Sequence, residues 1–166
     1  MKQIPLFRPT LTNKDYKVIQ MSLKTDQLSH GANNLKFEKL FSKFIKVKFS
    51  ISMNSCTSAL ECALKIIKKR GEVIIPSWTW VATANAVLNT GNIPVLADVD
   101  INSRNINAHE IKKCITKKTK AVIVVDLYGN MPDWDEILTL CKKNKIRIIE
   151  DAAESLGAKY KNKKAF

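Results

Sequence analysis

Five short runs rich in β-branched and small apolar residues, at 50–53, 72–75, 93–97, 121–125 and 146–149, punctuate this chain. Helical periodicity fills the intervals: a stripe of Leu60, Ala63, Leu64 and Ile67, then segments at 82–88, 108–115 and 133–143. Strands this short cannot pair in parallel without a crossover, and the alternation supplies a helix for each one. The runs are apolar nearly throughout rather than at every second position, so both faces of the sheet must be covered. The pattern predicts an α/β fold, a mostly parallel sheet with helices on both faces. No internal repeat or low-complexity linker interrupts it.

Two helices are expected before the alternation begins. Asn13 or Asp15 is placed to cap the first, which carries Tyr16, Ile19 and Leu23 on one face. After Ser29-His30-Gly31, the residues Phe37, Leu40, Phe41 and Phe44 fall at i, i+3, i+4 and i+7 of a second, strongly amphipathic helix.

A chain of 166 residues is long enough for a domain with a real core. Its formal charge of +13 invites a nucleic-acid reading. Arginine occurs only at Arg8, Arg70, Arg104 and Arg147, however, and the excess lysine clusters at helix ends and turns, as at Lys68-Lys69, Lys112-Lys113 and Lys142-Lys143. Without stacking aromatics among them, these lysines read as solvated faces, with attraction for phosphorylated small molecules as the next reading and nucleic acid after it. No apolar stretch is long enough to span a bilayer, and Met1-Lys2-Gln3-Ile4-Pro5 shows no secretory apolar region, so a cytoplasmic location without a membrane partner is expected. Cys56, Cys62, Cys114 and Cys141 have no CxxC spacing and the histidines are only His30 and His109; no metal site is expected.

Three strand-end clusters carry the chemistry. A phosphate cannot be held here by GxGxxG or a P-loop, since Gly31, Gly71, Gly91, Gly129 and Gly157 stand apart. Ser55, Thr57 and Ser58 lie where a helix begins, and either grip an anion with free N–H groups and hydroxyls or simply cap the helix. In Pro76-Ser77-Trp78-Thr79-Trp80, Trp78 is expected in the core and Trp80 as the aromatic that covers a planar ligand. Ile148-Ile149-Glu150-Asp151 sets a carboxylate at the C-terminal end of a buried strand, where open α/β sheets bind ligands. Parallel order places Thr57, Trp80 and Asp151 on one sheet edge. An anion grip, an aromatic cover and a carboxylate for a ring nitrogen are parts of a pyridoxal 5'-phosphate site.

With these motifs the chain resembles the sugar aminotransferases of the DegT/DnrJ/EryC1/StrS family. The likeness runs through Phe37-Glu38-Lys39-Leu40-Phe41, Asn54-Ser55-Cys56-Thr57-Ser58-Ala59-Leu60, Pro76 to Thr83, Pro94 to Asp100, Leu127-Tyr128-Gly129 and Glu150-Asp151-Ala152-Ala153 to Gly157. The resemblance implies an aspartate-aminotransferase-like large domain (fold type I of the pyridoxal phosphate enzymes), incomplete here: a helical segment over 1–34, a partial cofactor-binding domain over 35–166 and no C-terminal small domain. It further implies pyridoxal 5'-phosphate as cofactor, with Cys56 and Thr57 at the phosphate, Trp80 stacked on the ring, Asp151 at the ring nitrogen and Glu154 near the phenolic oxygen. Two positions depart from the family: Cys56 stands where glycine is usual, and Asp126, where histidine is common, receives no role.

The implied activity is amination of a nucleotide-linked keto-sugar, with glutamate as donor and a homodimer as the working form, for polysaccharide or amino-sugar biosynthesis. The family's Schiff-base lysine follows the position of Phe166, and Lys163 and Lys164 read as solvated turn residues. A fragment without transaminase activity of its own is therefore expected. The alternatives are a non-catalytic module binding pyridoxal phosphate or a nucleotide sugar, and a basic nucleic-acid-binding protein.

Overall fold

A computed structural model describes residues 4, 5, 8–25, 28–67 and 70–164. Met1-Lys2-Gln3, the Lys68-Lys69 pair and Phe166 lie outside the described residues, as do the side chains of Lys163 and Lys164. The chain divides into two compact units, Met1–Ser52 and Met53–Phe166. The boundary read from sequence at 34/35 falls inside a helix.

The first unit holds α1 (Asn13–Leu23) and α2 (Ala32–Ile45). The N-cap of α1 is Thr12, not Asn13 or Asp15; the Asp15 carboxylate instead accepts from the Thr12 N–H at 2.6 Å and hydroxyl at 2.7 Å. A β-branched hydroxyl in extended conformation suits the cap, and an acid three positions on closes it. The apolar faces form as the periodicity requires, but α1 buries none of its residues and α2 buries Ile45. Tyr16, Ile19, Leu23, Phe37, Leu40 and Phe44 are exposed. The run at 50–53 is not a strand. Its polar groups go to a helix side chain in place of a ladder: Glu38 accepts from the Ser52 N–H at 2.7 Å and the Ser52 hydroxyl at 2.8 Å.

The second unit begins with α3 (Cys56–Lys65) and continues through β1 (Glu72–Pro76), α4 (Val81–Asn89), β2 (Ile93–Ala97), α5 (Ala108–Cys114), β3 (Thr119–Val125), α6 (Trp134–Asn144) and β4 (Arg147–Asp151). The sheet order is β2-β1-β3-β4, with every pairing parallel. Alternation along the strands sorts the core into two layers. Val73, Ile75, Ala121, Ile123 and Val125 pack with Leu60 and Leu64 of α3 and Ala86 and Val87 of α4. Ile74, Val122 and Val124 pack with Ile111 of α5 and Trp134, Ile137 and Cys141 of α6. Each buried Val or Ile contributes roughly 1.5–3 kcal/mol, which makes β3, buried from Ala121 to Val125, the strand least tolerant of truncation.

β4 extends past Ile149 to include Glu150 and Asp151, because its ladder with β3 continues through Val124↔Glu150 and Val125↔Asp151. Beyond it, Lys159–Tyr160 and Lys163–Lys164 form a two-stranded hairpin, β5 and β6. Its turn is Lys161-Asn162, both at positive φ, so Lys163 and Lys164 are strand residues and not turn residues.

Candidate active site

From β1 the chain steps to β2 on one side and then to β3 and β4 on the other. That reversal leaves a crevice at the C-terminal ends of the strands, where loops from β1 and β3 part. A cavity of about 560 Å³ opens there, and its walls bring together Cys56, Thr57, Trp80, Asp151 and Glu154. A larger opening of about 1340 Å³, walled by Ile66, Ile67, Ile148 and Ile149, contains none of these residues.

At the start of α3 both sequence readings have a physical basis. Ser55 is the N-cap and accepts the Ser58 N–H at 3.1 Å. The N–H groups of Cys56 and Thr57 form no hydrogen bond among the described residues, as the first positions of a helix require. They remain available to an anion, on the positive end of the helix dipole.

Trp80 is the N-cap residue of α4 and is 78% exposed. Trp78 was expected in the core but is 56% exposed and lines the cavity. The reason is positional: the inward places of β1 are filled by Val73, Ile74 and Ile75, and the Ser77 N–H already bonds the Ala97 carbonyl at the sheet's end. Trp78 therefore lies beyond the edge of the layers it would have packed into.

Asp151 ends β4 and is 7% exposed. Its Oδ1 accepts from the Cys56 thiol at 3.5 Å and the Ala153 N–H at 3.3 Å, and its Oδ2 from the Thr83 hydroxyl at 3.4 Å. The N–H and O–H bonds are long, the thiol is a weak donor, and none of the ion pairs among the described residues includes Asp151. A buried carboxylate held this loosely is costly unless a cation joins it. The contact also acts on Cys56. Burial, then the Asp151 charge and the hydrogen bond to it, push the thiol up to about 11.

Glu154 is exposed, and its Oε2 accepts the Tyr128 N–H at 2.6 Å. Tyr128 and Thr83 line the cavity and were assigned nothing from sequence. For Tyr128 the available signal was an aromatic directly before Gly129 at a strand exit. Asp126 lies behind the site, fully buried, where its Oδ2 accepts the Ser155 hydroxyl at 2.8 Å. Burial holds its carboxyl above the ordinary range, against the pull of Ser155, Glu150 and Trp134.

Fold and cavity together define a doubly wound α/β domain with a cavity at its topological switch point. The DegT/DnrJ/EryC1/StrS aminotransferase family model matches residues 9–165, and the chain belongs to that family. It is 36% identical over 166 residues to GDP-perosamine synthase of Escherichia coli O157:H7, covering 98% of this chain and 46% of that protein. Among solved structures it is similar to Helicobacter pylori PseC, an aminotransferase involved in the biosynthesis of pseudoaminic acid, with TM-score 0.92 and 34% identity over 98% of this chain and 45% of that one. It is also similar to the E. coli GDP-4-keto-6-deoxy-D-mannose-3-dehydratase with bound hydrated PLP, with TM-score 0.91 and 30% identity over 99% of this chain and 44% of that one. The chain thus spans less than half the length of the relatives it matches.

Proposed function

We propose that the cavity is a pyridoxal 5'-phosphate site, and that this chain supplies one wall of the active site of an aminotransferase acting on a nucleotide-linked keto-sugar. The observation that carries the reading is Asp151: a carboxylate 7% exposed, with three weak donors and no cationic partner among the described residues. A protonated pyridine nitrogen supplies the missing cation. The phosphate fits the free N–H groups of Cys56 and Thr57, and the exposed indole of Trp80 fits a planar ring. Glu154 lines the same space, where its carboxylate holds the Tyr128 backbone.

Bound there, the cofactor supplies an electron sink for the substrate α-carbon. The chain's part is to keep that sink effective. Asp151 holds a proton on the ring nitrogen, Trp80 shields one ring face from water, and the start of α3 anchors the phosphate. Among the described residues no lysine lines the cavity, so binding and orientation are the roles proposed for this chain, and binding without turnover is expected of it alone. Glutamate as donor, a homodimeric working form and a cytoplasmic setting complete the proposal, which follows the family and the names of its relatives.

The test is titration with pyridoxal 5'-phosphate, followed by tryptophan fluorescence. Asp151→Asn keeps the shape and removes the charge. A charged hydrogen bond is worth roughly 1.5–3 kcal/mol, so the variant should bind about ten- to hundredfold more weakly. Equal affinity in the folded variant would overturn the reading.

A further inference from the structure

Tyr128 is the strained residue of this site. Its φ is 57° and ψ 23°, left-handed values that a bulky aromatic side chain seldom adopts, and Gly129 follows at φ 75°. The turn is tied down on every side. Glu154 Oε2 accepts the Tyr128 N–H at 2.6 Å, the buried Asn105 accepts the Leu127 N–H at 3.1 Å, and the Asp126 carbonyl accepts the Gly129 N–H at 3.2 Å. Asn105 in turn donates to the Asn130 carbonyl at 2.6 Å. A Cβ on Gly129 would sit 3.3 Å from the Glu154 carbonyl, so the turn packs closely on the segment that follows β4. What these restraints secure is an unburied ring: Tyr128 is 71% exposed and lines the cavity with Trp80.

Strain held in place by several independent bonds, with an exposed aromatic as its product, is the mark of a functional constraint. We infer that Tyr128 is a ligand-contact residue that covers the flat cationic ring held at Asp151, and that Glu154 is a positioning residue acting through the Tyr128 backbone. The inference rests on the pyridoxal phosphate reading and assigns the Glu154 carboxylate to the Tyr128 N–H.

The experiment measures pyridoxal 5'-phosphate affinity and thermal midpoint for the wild-type chain, Tyr128→Phe, Tyr128→Gly, Glu154→Ala, Glu154→Gln and the double variant Tyr128→Gly/Glu154→Ala. Tyr128→Phe should bind within about twofold of wild type, while Tyr128→Gly should bind roughly fivefold more weakly, the scale of one lost aromatic contact. Because glycine relieves the positive φ, the Tyr128→Gly midpoint should equal or exceed that of wild type. Glu154→Ala should weaken binding, and Glu154→Gln, whose amide oxygen still accepts an N–H, should restore it. In the double variant the Glu154→Ala loss should vanish, since there is no ring left to position. Wild-type affinity in Tyr128→Gly would overturn the inference and leave the cofactor reading intact. Persistence of the Glu154→Ala loss in the double variant would overturn the positioning role. Failure of the wild-type chain to bind saturably would overturn both the cofactor reading and this one.

Discussion

Cys56 is exposed, yet it should be a slow thiol. Its proton is retained to about 11, against an ordinary 9.0, because the sulfur is partly desolvated and faces the Asp151 carboxylate. Two units leave about one-hundredth as much thiolate at pH 8. A more basic thiolate is also a better nucleophile, and with a Brønsted slope of about 0.4–0.5 this returns roughly six- to tenfold. The net expectation is alkylation on the order of tenfold slower than an ordinary exposed cysteine. The rate should still be climbing at about pH 10, where an unperturbed thiol has levelled off.

Iodoacetamide labelling with peptide mass mapping measures this directly in a Cys62→Ser/Cys114→Ser background, where fully buried Cys141 is the only other thiol. Asp151→Asn removes the second cause and leaves the first, burial, in place, so it should recover a few-fold and not the whole deficit. Pyridoxal 5'-phosphate should protect Cys56, which opens the helix proposed to hold its phosphate. A wild-type rate that levels off near pH 9, with no response to Asp151→Asn, would refute the contact between α3 and β4 and the electrostatics built on it.

Two further outcomes test the frame behind the site. Asp126 has its carboxyl raised on folding, so the folded chain keeps a proton that the unfolded chain releases. Its contribution is therefore full at pH below the unfolded value of 3.8 and is lost as pH rises through the folded value. Asp126→Asn should flatten that loss in thermal midpoints taken from about pH 4 to 8, and parallel curves for variant and wild type would contradict the assignment. Gly71→Ala should destabilise the chain by about 2 kcal/mol in urea unfolding. Its Cβ would lie 2.4 Å from the Lys118 carbonyl, which cannot retreat without breaking its 3.0 Å bond from the Glu72 N–H; an unchanged midpoint would show that β1 and β3 meet otherwise.

The sheet was legible because its chemistry is local and periodic. The runs at 72–75, 93–97, 121–125 and 146–149 are each apolar on both faces, and each became a strand within two residues at either end. The run at 50–53 shows the limit of that signal. Its residues have strand character, but a strand also needs a neighbour, and Glu38 intercepted the Ser52 N–H. Trp78 misled for a related reason: its size argued for burial, while its place one turn past the end of β1 removed any core to enter. The five site residues named from sequence do meet at one cavity, because parallel order brings every strand exit to the same edge. Tyr128 offered the sequence only an aromatic before a glycine at a strand exit, since the rest of its significance lies in a backbone angle and in a bond to Glu154, 26 positions away.

The charge of this chain works on two length scales with opposite signs. At +13 it attracts anions from a distance, an effect that falls off over a Debye length of about 8 Å at physiological salt. Yet among the described residues the cavity wall contains no lysine or arginine; its charged members are Asp151 and Glu154. An anion drawn to this surface must therefore be bound in the cavity by neutral donors, and the free N–H groups at the start of α3 are suited to that. A cation of the same ligand must answer Asp151. On the proposed reading, both demands are met by a small molecule with a phosphate at one end and a protonated ring at the other, whereas the phosphates of a polyanion would bring no counter-charge to the buried carboxylate.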